Sequence, residues 1–143
     1  MIQKKYKIKK DYLLVKSAFA DIDGELIHKM LPFGWGLDSH KGLRRRAVLR
    51  IYAGSKRYKF KVAMYSSTKD KYYLHIVNAE DAPYDIKFFS TRITVVNKKG
   101  KTEIEETLEF TTKNKWLDKF LSLFINMHYL LKGIRYKLFF MNK

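Results

Sequence analysis

The chain has 143 residues, the size of one ordinary domain and too short for two. Folding at this length removes about 68% of the unfolded surface from water, and a 46% hydrophobic, 15% aromatic composition supplies a core without disulfide staples. Cysteine is absent, which excludes disulfides, thiolate metal sites and a cysteine nucleophile, while 30 basic against 14 acidic residues (30 − 14 = +16) favours an anionic partner over an acidic-surface role.

The first ten residues hold five lysines and no apolar block of signal-peptide length, so they read as a basic, frayed N-terminus and not as a secretory signal. Residues 11–19, Asp-Tyr-Leu-Leu-Val-Lys-Ser-Ala-Phe, read as a first strand. Asp23 can cap a short helix that gathers Leu26, Ile27, Met30 and Leu31 on one side and stops at Pro32. Phe33-Gly34-Trp35-Gly36-Leu37 follows as a loop or broken turn, with Trp35 either a loop anchor or an exposed gate.

Two period-two segments come next. Ala47, Leu49, Ile51 and Ala53 alternate with polar neighbours over 46–53, and Tyr58, Phe60, Val62, Met64 and Ser66 do so over 57–66. Closing them on Gly54-Ser55 sets Leu49 opposite Phe60 and Ile51 opposite Tyr58, with Arg50 on Lys59 and Tyr52 on Arg57 behind. Both faces sort in one register, so a hairpin is predicted.

Further strands are expected over 72–78, 86–97 and 102–112. Pairing the last two through Lys99-Gly100 places Val95 on Ile104, Thr91 on Leu108 and Phe89 on Phe110. Asn114 is a candidate N-cap for a long helix to residue 138. Its stripe of Leu117, Phe120, Phe124, Met127, Leu131, Ile134 and Leu138 is expected to lie on the sheet.

The fold class is therefore α+β: a curved antiparallel sheet of six or seven strands gripping a long C-terminal helix, in one domain spanning 1–143. Six strands are counted, and a seventh would lie between Asn78 and Phe89 or be missing. This element order, with a helical insertion over 20–44, resembles the helix-grip fold of the START-like superfamily, which includes Bet v 1-type allergens, polyketide cyclases and lipid-transfer domains. The likeness covers essentially the whole chain and rests on no short motif. A pleckstrin-homology-like barrel, which also ends in a helix, is the structural rival. The resemblance implies a cavity between sheet and helix that takes an apolar small molecule or lipid, with no cofactor.

Tyr58, Phe60, Met64, Tyr72, Phe89, Phe124 and Met127 are the expected pocket lining, core packing being the plainer role for each. Glu106 stands out, since alternation sets it inward among Ile104, Leu108 and Phe110. An isolated buried carboxylate is costly. It is either a ligand anchor or acid/base group, or a carboxylate paired with a nearby Lys or Tyr or bent toward solvent. The acid/base role would make the chain a cyclase- or dehydratase-like enzyme.

Arg44, Arg45, Arg46, Arg50, Arg57, Lys59 and Lys61 form a basic set on or near the first hairpin. They suit an anionic membrane surface, or else a solvated face. The second functional reading is a nucleic-acid module, with Tyr52, Tyr65 and Tyr73 stacking bases beside Arg57 and Lys59. His28, His40, His75 and His128 lack metal-motif spacing, and no GxSxG, Walker or dinucleotide motif occurs. The longest uncharged apolar stretch near the C-terminus, Phe120 to Leu131, is twelve residues, too short to span a bilayer, and a cytoplasmic protein is expected.

Overall fold

The structure, a computed structural model, describes residues 1–20, 26, 31, 35–37, 45–80 and 82–141. Seven strands form one antiparallel sheet: β1 (Ile2–Ile8), β2 (Gly36–Leu37), β3 (Val48–Ala53), β4 (Lys56–Ser67), β5 (Lys71–Asn78), β6 (Ile86–Lys98) and β7 (Lys101–Thr112). Helix α1 (Tyr12–Ala20) follows β1, and helix α2 (Lys115–Met141) closes the fold. The strand order is β1-β7-β6-β5-β4-β3-β2, a meander with β1 returned to its far edge.

Both predicted hairpins form in the predicted register. Leu49 pairs with Phe60, Ile51 with Tyr58, Arg50 with Lys59 and Tyr52 with Arg57. Val95 pairs with Ile104, Thr91 with Leu108 and Phe89 with Phe110. Asn114 caps α2, its Oδ1 accepting the Trp116 N–H at 3.0 Å.

The N-terminus departs from expectation twice. Residues 12–20 are helix, not strand: Tyr12, Val15 and Phe19 are the buried positions, spaced three and four apart. The lysine-rich start is the missing edge strand, paired along β7 from Ile2 on Leu108 to Ile8 on Thr102. Strand β7 carries glutamates, and β1 answers them. Lys7 sits opposite Glu103 and Lys5 opposite Glu105, with Lys5 Nζ 3.7 Å from a Glu105 oxygen. Opposite charges directly across a ladder favour the pairing that like charges would resist.

The remaining strand is also not where it was sought. Residues 79–80 and 83–85 form bends and turns, while Gly36–Leu37, expected as loop, pairs with Tyr52 and Ile51. Glycine is needed at 36 because the Tyr52 ring occupies the place where a Cβ would stand. Trp35 is an anchor and not a gate: it is buried, with ring centroids 5.3 Å from Phe89 and 5.8 Å from Phe60. The proposed cap Asp23 and Pro32 lie outside the described residues, although Leu26 is helical and buried.

The largest correction concerns α2. Its buried residues are Leu121, Ile125, Tyr129, Lys132, Tyr136 and Phe140. The stripe of Phe120, Phe124, Met127, Leu131, Ile134 and Leu138 is exposed instead. The two stripes are about 140° apart at 100° per residue, so the helix is apolar on both sides. Glycine at 133 lets the buried side approach β1, for a Cβ there would stand 3.3 Å from the Tyr6 ring.

Candidate functional site

The inner face of the sheet, α1 and α2 enclose a cavity of about 40 Å³, room for roughly three waters. Leu49, Ile51, Leu74, Phe89, Ile93 and Leu108 supply its apolar wall from the strands. Phe19 of α1 closes one side, and Tyr129 and Lys132 of α2 face in from above. Glu106 and Thr91 are the polar positions of the strand wall.

Glu106 is 1% exposed, with an ion pair at one carboxylate oxygen and a hydrogen bond at the other. Lys132 Nζ lies 2.8 Å from Oε2, and the Tyr136 hydroxyl donates to Oε1 at 2.6 Å. Lys132, on the next turn from Tyr136, is 3% exposed. Its ammonium also sits 5.0 Å from the Tyr129 ring centroid and 5.7 Å from that of Tyr136, within cation–π range. Tyr6 holds this group from the edge strand: its hydroxyl donates to the Tyr129 carbonyl at 3.0 Å, and its ring meets Tyr136 edge-on at 5.2 Å.

Burial sets the protonation tendencies. It pulls the Lys132 amine below the ordinary lysine range, and the adjacent Glu106 charge works against that pull. Burial, then the Glu106 charge, pushes the Tyr136 and Tyr129 hydroxyls well above the ordinary phenol value, so both stay protonated as donors. At Tyr129 the neighbouring Thr91 side chain works weakly against that rise. With Tyr136 on one oxygen and Lys132 against the other, Glu106 is poorly placed to take a proton from a substrate. It orients Lys132 at the cavity wall and accepts from Tyr136.

Of the residues anticipated for the pocket, Phe89 and Glu106 line it. Phe60 and Tyr72 are buried beside it in the core, and Tyr58 is half-buried. Met64 is 48% exposed. A β-bulge between Val62 and Met64 shifts the register, sending Met64 outward opposite His75 and Tyr65 inward opposite Leu74. Phe124 and Met127 belong to the exposed side of α2. Lys132, Tyr136, Tyr129 and Thr91 were not anticipated. One signal for Lys132 existed: it interrupts an otherwise apolar row at 121, 125, 129, 136 and 140, just as Glu106 interrupts its own.

Arg45, Arg46, Arg50, Arg57, Lys59 and Lys61 are exposed, and Arg44 lies outside the described residues. The Arg57 guanidinium stacks 5.1 Å from the Tyr52 ring centroid. The tyrosine set proposed for base stacking does not share that face, because the bulge turns Tyr65 into the core, edge-on to Tyr72 at 5.6 Å.

No protein-family model and no curated protein matches this chain. Solved structures do match. A protein from Nitrosospira multiformis aligns at 9% identity over 91% of this chain and 90% of its own, with a TM-score of 0.63. The protein XoxI from Bacillus cereus aligns at 14% identity over 87% and 84%, TM-score 0.59. Ara h 8.0201 aligns at 14% identity over 80% and 77%, TM-score 0.53. At these identities the likeness shows the fold alone. The curled antiparallel sheet with its C-terminal helix is consistent with a Bet v 1-like fold.

Proposed function

We propose that this protein binds a small, largely apolar molecule carrying one oxygen-bearing polar group, in the cavity beneath α2. The observation that carries this reading is a buried ion pair, Glu106–Lys132, set into the wall of an otherwise apolar hollow. Such pockets hold the ligand body by apolar contact and fix its orientation with a few polar groups. Here the chain of the ligand would rest against Ile51, Leu74, Phe89 and Leu108, and its oxygen would meet the Lys132–Glu106 side. A hollow of about 40 Å³ is well below the roughly 150 Å³ that holds benzene, so as it stands it suits a short-chain ketone or acid, and a phenol or any larger guest requires side chains to move. The Bet v 1-like neighbours support an apolar guest as a class.

The test is a two-dimensional NMR titration of the labelled protein with a panel of phenols, ketones and short-chain acids, alongside extraction of the purified protein for mass spectrometry. Saturable shifts confined to Ile51, Leu74, Phe89, Ile93 and Leu108 are expected, with affinity reduced about tenfold or more in Lys132→Met. A panel that leaves those resonances unmoved, with nothing extracted, would rule the reading out.

A further inference from the structure

Helix α2 spends one apolar side on the core and leaves a second in the open. Trp116, Phe120, Leu123, Met127, Leu130 and Ile134 recur at spacings of four, three, four, three and four. Trp116 is 69% exposed, Leu123 65% and Leu130 68%. Together with the exposed stripe described above they form a continuous apolar strip about 33 Å long at ~1.5 Å per residue. Soluble monomers rarely leave contiguous apolar area of this kind uncovered.

The margins of the strip carry charge of one sign. Lys115, Lys119 and Lys137 border one edge and Arg135 the other, all exposed. The one carboxylate of α2, Asp118, accepts the Thr112 N–H at 2.7 Å across the helix start. No acid follows it in the chain. A second copy of this chain laid along the strip would bring cationic margins together, on molecules of charge +16 each. A lipid surface with anionic headgroups complements both features at once, taking the apolar side chains to the acyl boundary and the cations among the headgroups.

We infer that the outer face of α2 is a docking surface for anionic phospholipid membranes, with the helix lying flat in the interface. No helix among the described residues is long and apolar enough to cross a bilayer. The surface shares no residue with the cavity, so either proposal can fail without the other. It also places docking on the helix and not on the basic hairpin β3–β4.

The full chain is sedimented with phosphatidylcholine vesicles and with mixed phosphatidylcholine–phosphatidylserine vesicles. Binding to the mixed vesicles, much weaker to phosphatidylcholine alone, is expected. Trp116 reports insertion, since Trp35 is only 3% exposed and iodide in buffer reaches Trp116; vesicles should abolish that quenching. The triple variant Leu123→Ser/Met127→Ser/Leu130→Ser alters only exposed side chains, so its circular dichroism should be unchanged while vesicle affinity falls by about a hundredfold. The pair Arg50→Gln/Lys59→Gln on the hairpin should stay within about threefold of the parent.

Four results would each overturn the inference. They are no sedimentation with the mixed vesicles at low salt, undiminished binding by the triple variant, Trp116 still quenched on vesicles, or loss through the hairpin pair in place of the helix triple. A solution dimer that the triple variant converts to monomer would assign the strip to a second copy instead.

Discussion

Lys132 and Glu106 come from consecutive elements, α2 and β7, and meet in the core: their 2.8 Å contact is buried at both ends. Removing either partner leaves an uncompensated charge in the core, which costs about 3–5 kcal/mol, whereas an apolar replacement of both is close to neutral. Glu106→Gln and Lys132→Met should therefore each lower unfolding stability by about that amount, while the double variant Glu106→Gln/Lys132→Met recovers most of it. Urea denaturation of the four proteins checks this. Additive losses would mean that the two groups are not coupled. Tyr136→Phe, which deletes the 2.6 Å donor to Glu106, should cost about 1.5–3 kcal/mol on the same scale.

His128 supplies a pH signature. Burial, then the nearby Lys132 and Arg135 charges, lowers its pKa from the ordinary 6.5 to about 4. Its Nε2 is buried with no hydrogen-bond partner among the described residues. The unfolded chain binds the proton more tightly than the folded one, so stability from this group is complete above pH 6.5 and declines as pH falls toward 4. The ring is only partly buried, so solvent screening limits the loss to on the order of 1 kcal/mol. His128→Gln should flatten that part of the stability–pH curve, measured as the difference between the two proteins so that carboxylate titration cancels.

Gly133 is fixed by Tyr6 and not by the needs of the helix. Alanine is favoured over glycine by about 1 kcal/mol in a helix interior, but a Cβ at 133 would press on the Tyr6 ring at 3.3 Å. Gly133→Ala should gain that amount only in a Tyr6→Ala background and lose most of the gain in the parent. Thermal unfolding of the two pairs gives the coupling directly. Equal effects in both backgrounds would dissociate the glycine from the ring.

The first hairpin sets Arg50 directly opposite Lys59 on an exposed face. Like charges so placed are unfavourable, and an opposite pair contributes a few tenths of a kcal/mol. Lys59→Glu should raise stability by about 0.5 kcal/mol at low salt, with the gain fading as ionic strength rises. A gain that persists in high salt would point to packing in place of charge.

The hairpins were legible in the sequence because a period of two, a two-residue turn and one buried face leave one register that sorts every side chain. Leu49 on Phe60 and Ile93 on Glu106 follow from local order alone. The edge strand β1 was not legible, since lysines disfavour a strand unless glutamates lie across from them, and those glutamates are on β7, far along the chain. The bulge at Val62/Met64 likewise leaves no mark in the alternation that it interrupts.

What the sequence determined by itself is a basic α+β chain with an inward carboxylate at 106 and a long, capped terminal helix. Which side of that helix turns inward was a tertiary decision. Hydropathy favoured the row through Phe120, Phe124 and Met127, but only the other row presents an ammonium to Glu106 and a glycine to Tyr6. Both rows offer comparable apolar side chains for burial, so the choice between them falls to the cost of stranding a charge in the core. The carboxylate decided how the helix is rolled, and with it the shape of the cavity and the identity of the exposed face.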